Sequence, residues 1–197
     1  MRAQNLSRLV LSDQERCPNW RAALAMARRG SSQTVGLILR DYGLPQRAEL
    51  ARDMAAHCAR ENIFFAVAGD ARLAAKYGAA FHCPSHLLAS PAARLGRALA
   101  CDLAAVHNET QMHQAAKAGF GSVLLSPVFA TKSHPNARPL GSLRARALAQ
   151  LGREKGLHVF ALGGMNETSW RRLNAQRLLF QGYAAIDAFV PKLASKG

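Results

Sequence analysis

Two histidines, a pair of glycines and one long polar segment are the parts of this chain best suited to chemistry. His107 closes the segment DLAAVH and His82 lies near the end of AAFHCP. A histidine at the end of an apolar run suits proton transfer near neutral pH, where its ring gains and loses a proton readily. Each reads equally well as a hydrogen-bonded structural residue. Gly163 and Gly164, in ALGGMNET, stand between an apolar run and a helix that Asn166 can cap. Paired glycines let backbone amides approach an oxyanion closely, and a helix start adds unpaired donors. A tight turn needing positive φ would select the same pair. The segment SPVFATKSHPNARPLG concentrates Thr131, Lys132, Ser133, His134 and Arg138. Hydroxyls and cations on one loop suit capture of an anion. Metal chemistry has no comparable signal, since no H-x-x-x-H, clustered carboxylates or EF-hand spacing occurs. The cysteines Cys17, Cys58, Cys83 and Cys101 form no C-x-x-C pair, so single reduced thiols are expected.

These residues need a frame, and the chain supplies a repeating one. Eight short apolar runs, SRLVLSD, TVGLILRD, NIFFAVAGD, AAFHCP, DLAAVH, GSVLLSPVF, HVFALGG and LLFQGYAAID, alternate with amphipathic segments. Continuous apolar runs of this length are expected of strands buried on both faces of a parallel sheet. The segments between them, from WRAALAMARRG to DAFVPKLAS and including SPAARLGRALA, carry apolar residues at three- and four-residue spacing. Asn108-Glu109-Thr110 and Asn166-Glu167-Thr168 open two helices alike: asparagine caps the first amides and the early acid suits the helix dipole. Eight such units predict an α/β fold, a single small (β/α)8 TIM barrel over residues 1–197, near the lower size limit of that architecture. A doubly wound open sheet is the alternative, but no strand is followed by G-x-G-x-x-G. In a barrel, the residues at the strand ends gather at one face. Arg40, His82, His107, Gly163 and Gly164 are then neighbours.

Charge narrows the partner. The chain has 26 Lys+Arg against 12 Asp+Glu, a formal charge of +14, which favours anions. The arginines are scattered over helix faces and no aromatics interleave with them, so a small phosphorylated substrate is a better expectation than nucleic acid. No apolar stretch is long enough to span a membrane and the first residues lack a secretory pattern, so a cytoplasmic location is expected.

Six ordered segments also carry a resemblance. LVLSD, LILRDYG, VAGDARLAAKYGA, FHCPSHLL, SPVFATKS and FALGGM follow the order of motifs in the thiamine phosphate synthases and their relatives, the thiazole tautomerases (TenI-like). The chain resembles that family from about Leu9 to Leu193. The resemblance implies an enzyme that joins a thiazole phosphate to a pyrimidine diphosphate, or one that isomerises a thiazole. On that pattern Arg40 matches a pyrophosphate-holding arginine, Thr131 and Ser133 match loop hydroxyls beside Lys132, and Gly163, Gly164, Ile186 and Asp187 fall where the thiazole phosphate is held. His107, in AAVHNET, looks like the tautomerase histidine. Tyr42 stands where the synthase has a lysine, Ala68-Gly69 replace Asn-Asp, and Leu87 falls near a second magnesium-binding aspartate. With these carboxylates replaced, magnesium loses its usual ligands and no cofactor is expected. Asp187 also places negative charge beside the expected phosphate. Synthase, tautomerase and a barrel that binds thiamine precursors without turnover all remain open, as does a homodimer.

Overall fold

Runs such as FFAVA and SVLL are buried at every position, which a strand achieves only when neighbours cover both its faces. In the computed structural model, residues 6–29, 34–91, 93, 103–131, 138–174 and 179–190 are described. Eight strands run parallel: β1 Leu6–Leu11, β2 Thr34–Leu39, β3 Phe64–Ala68, β4 Ala80–Cys83, β5 Leu103–Val106, β6 Ser122–Leu125, β7 His158–Leu162 and β8 Gly182–Ala185. They pair in chain order and β8 returns to β1, so the sheet is a closed barrel and the open-sheet alternative falls away. Closure leaves no sheet edge among these strands and lets one face be filled by side chains while helices cover the other.

Among the described residues six helices surround the barrel: α1 Trp20–Arg28, α2 Arg47–Arg60, α3 Ala71–Lys76, α4 Glu109–Ala118, α5 Gly141–Glu154 and α6 Glu167–Asn174. In α1, Trp20, Ala23, Leu24 and Ala27 are buried while Arg21 and Arg28 are exposed, the one-faced pattern of an outer helix. Side-chain caps start the helices where expected. Asn108 Oδ1 accepts from the Gln111 amide and Asn166 Oδ1 from the Ser169 amide, each at 2.9 Å. At the other end of α4, Gly119 takes a left-handed φ of 83° and stops the helix. The segments SPAARLGRALA and DAFVPKLAS lie largely outside the described residues; the second begins with a 3₁₀ turn at Asp187–Phe189.

The seam between β1 and β8 has one strict requirement. The β1 register shifts between Leu6 and Arg8, and the Ser7 backbone comes so close to β8 that a Cβ on Gly182 would lie 2.1 Å from the Ser7 carbonyl oxygen. Only a residue without a side chain fits there.

Candidate active site

A cavity of about 1540 Å³ opens where the strands end, and it continues along the flank of α1 past Met26. Arg40, His107, Thr131, Gly163, Gly164, Ile186 and Asp187 all line it. Lys132 and Ser133, the next residues of the polar segment, lie outside the described residues.

His107 is exposed and its ring is oriented by β6. Its Nδ1 lies 2.6 Å from the Ser126 carbonyl oxygen, with Ser126 Oγ at 3.3 Å from the same nitrogen. A carbonyl can only accept, so Nδ1 carries the proton and, in the neutral ring, Nε2 keeps its lone pair. The backbone is equally fixed: the His107 amide donates to Gln111 Oε1 at 2.7 Å while Asn108 caps the same helix turn. The residue is therefore held in one orientation at the edge of the cavity.

Across the mouth, the glycine turn answers two needs at once. Gly163 and Gly164 have φ of 94° and 62°. A Cβ on Gly163 would meet Pro127 Cα at 2.8 Å, and one on Gly164 would meet the Ala130 carbonyl oxygen at 2.6 Å. The segment after β6 lies directly on the turn, with the Val128 amide donating to the Leu162 carbonyl at 2.8 Å and the Phe129 amide to the Gly163 carbonyl at 3.0 Å. Backbone packing thus explains both glycines without a ligand. Their own amides, and those of Ile186 and Asp187, have no hydrogen-bond partner among the described residues. Unpaired amides lining a cavity are donors in need of an acceptor, which an anion supplies.

Charged groups from three strand ends meet beside this turn. Arg40 Nη2 donates to Asp13 Oδ2 at 3.0 Å, and Arg16 pairs with Asp187 while lying 3.9 Å from the Asp13 carboxylate. Ser12 Oγ accepts from the Arg40 amide at 2.9 Å and donates to Asp41, which also accepts from the Gln14 amide at 2.8 Å. The Asp187 charge is thus balanced by Arg16, a residue the sequence did not single out. The two are far apart in the chain, and only barrel closure joins them. One signal was available: Arg16 follows β1 on the same face as the other strand ends.

His82 lies elsewhere. It is only 5% exposed, does not line the cavity, and neither ring nitrogen has a hydrogen-bond partner among the described residues. Burial, reinforced by the charge of Arg40, pushes its pKa down to about 4 from 6.5. The unfolded chain takes up this proton below about pH 6.5 and the folded chain resists until about pH 4. Stability present above that window is therefore lost as pH falls through it, by roughly 2 to 3 kcal/mol between pH 7 and 4.5. Urea midpoints at the two pH values are expected to show that loss, and His82→Leu to flatten it. Equal losses in both proteins would place the titrating group elsewhere.

Among the described residues, no group of three or more His, Cys, Asp or Glu side chains could hold a metal ion. No helix among them is long and apolar enough to cross a membrane.

With this geometry in place, comparison with known proteins is informative. The family model described as thiamine monophosphate synthase (TMP-TENI) matches residues 9–188. A curated Aquifex aeolicus protein, "Putative thiamine-phosphate synthase 2", is 33% identical over 67 residues, about a third of each chain (34% of this one, 33% of that one). Among solved structures, the thiamine phosphate pyrophosphorylase of Pyrococcus furiosus superposes with a TM-score of 0.73 at 19% identity, covering 96% of this chain and 90% of that one. The 2-keto-3-deoxy-6-phosphogluconate aldolase of Zymomonas mobilis, solved with 3-phosphoglycerate, gives 0.61 at 16% identity, covering 96% and 83%. At these identities the two structures share the barrel with this chain, and their sites are their own.

Proposed function

Because the chain belongs to the thiamine monophosphate synthase family, we propose that it binds a thiazole phosphate, or a related small phosphorylated molecule, at the barrel mouth and moves a proton on it. The observation that carries this reading is the His107 ring, whose Nδ1 is held at 2.6 Å by the Ser126 carbonyl so that Nε2 is the base. The phosphate sits on the amides of Gly163, Gly164, Ile186 and Asp187, with Thr131 and the carboxylate-paired Arg16 and Arg40 lining the same mouth. Anchored there, the thiazole ring presents a ring C–H to Nε2. That bond breaks, the proton passes to His107, and its electron pair stays in the conjugated ring. The imidazolium then returns the proton to a different atom, so nothing is gained or lost and the product is an isomer. A general base of this kind contributes about 100- to 10,000-fold in rate, or about 3 to 5 kcal/mol of barrier.

This reading favours a tautomerase over a coupling synthase because its chemistry draws only on groups that line the cavity. Titration of isotope-labelled protein with a thiazole phosphate, followed by amide NMR, locates the ligand. The expected result is saturable shifts at Gly163, Gly164 and Asp187. Shifts confined to exposed helix arginines would remove the mouth as the binding site.

A further inference from the structure

Among the described residues, the lining of the mouth cavity is one-sided. The cavity takes lining from the ends of β5 to β8, from Arg16 after β1 and from Arg40 after β2, but from no described residue at the end of β3 or β4. The Tyr42 side chain, itself 57% exposed, lies over that quarter. The Tyr42 ring lies on Gly69, where a Cβ would meet Tyr42 Cε1 at 2.8 Å and Pro84 Cγ at 3.7 Å. The Arg47 guanidinium lies 5.7 Å from the centre of the Tyr42 ring, donates to the Ala68 carbonyl at 2.5 Å and stands 3.9 Å from the Asp70 carboxylate. The other Asp70 oxygen accepts from the Leu73 amide at 2.9 Å to cap α3. Leu87 turns onto the hydrophobic core.

Two departures from the family pattern, Tyr42 and Gly69, are therefore a single change. The ring can rest there only because residue 69 has no side chain. A hard divalent cation needs several oxygen ligands, usually with at least one carboxylate. At this corner the Ala68 carbonyl and the Asp70 carboxylate already face the fixed positive charge of Arg47, so the residues present do not fit magnesium.

We propose that Tyr42, seated on Gly69 and backed by Arg47, plugs the β2–β4 quarter of the mouth against a magnesium-borne diphosphate and confines the protein to one monophosphorylated substrate at a time. The inference rests on the mouth being the substrate site, but the plug can be tested apart from it. Isothermal titration with inorganic pyrophosphate, with and without magnesium, is compared for the unaltered chain, Tyr42→Phe and the double variant Tyr42→Ala/Gly69→Asp. Magnesium is expected to change the pyrophosphate affinity of the first two less than two-fold and to tighten that of the double variant ten-fold or more. Ten-fold tightening in the unaltered chain, or none in the double variant, overturns the plug. A second arm needs no ligand: Gly69→Asp is expected to lower the melting temperature clearly when Tyr42 is present and much less beside Tyr42→Ala. Equal losses in the two backgrounds would mean that the ring does not occupy that space. Failure of inorganic pyrophosphate to bind any of these proteins would count against the anion site after β7 and β8, and the thermal arm would still decide the plug.

Discussion

Replacing His107 with asparagine is expected to lower turnover of a thiazole phosphate about 100- to 10,000-fold while leaving its affinity within a few-fold. Asparagine keeps an N–H that can reach the Ser126 carbonyl and preserves the start of α4, where Asn108 and Gln111 hold the backbone. It lacks a nitrogen lone pair able to take a proton. An effect on turnover with binding intact is the signature of a group used in the transition state and not in the ground state. Turnover within a few-fold of the unaltered chain would make His107 a structural histidine, held by Ser126 for the sake of the loop.

The second large effect belongs to the fold. Gly182→Ala is expected to cost about 4 kcal/mol or to prevent folding, because the new Cβ would sit 2.1 Å from the Ser7 carbonyl oxygen and 2.7 Å from Ser7 Cα. These are backbone atoms of the strand that closes the barrel, so relief requires β1 and β8 to part. Gly121→Ala is the control, since nothing lies within 4 Å of its Cβ position. A urea midpoint for Gly182→Ala close to that of the control would contradict the tight seam.

The architecture was legible because parallel strands covered on both faces read as short apolar runs, and eight of them recur with helical spacing between. The caps were legible for a local reason: Asn108 and Asn166 act within three residues of themselves. What escaped the sequence depends on distant contacts. The glycine pair after β7 admits a turn or an anion site, and the decisive crowding comes from Pro127 and Ala130 on another strand's loop. Arg16 and Asp187 meet only through closure of the barrel. Tyr42 and Gly69 were visible separately as departures from a pattern, while the ring resting on the glycine was not. For His82 a local hint existed, because AFHC is apolar apart from the histidine, and all four positions are buried.

The most direct test of the account is solvent isotope exchange, with a thiazole phosphate incubated in deuterium oxide and its ring carbon followed by NMR. The account predicts loss of hydrogen from one ring carbon and deuterium at the atom that receives the proton, both catalytic with the unaltered chain, without magnesium, and almost lost with His107→Asn. A bound ligand that acquires no label, or label that enters equally fast without His107, would contradict it.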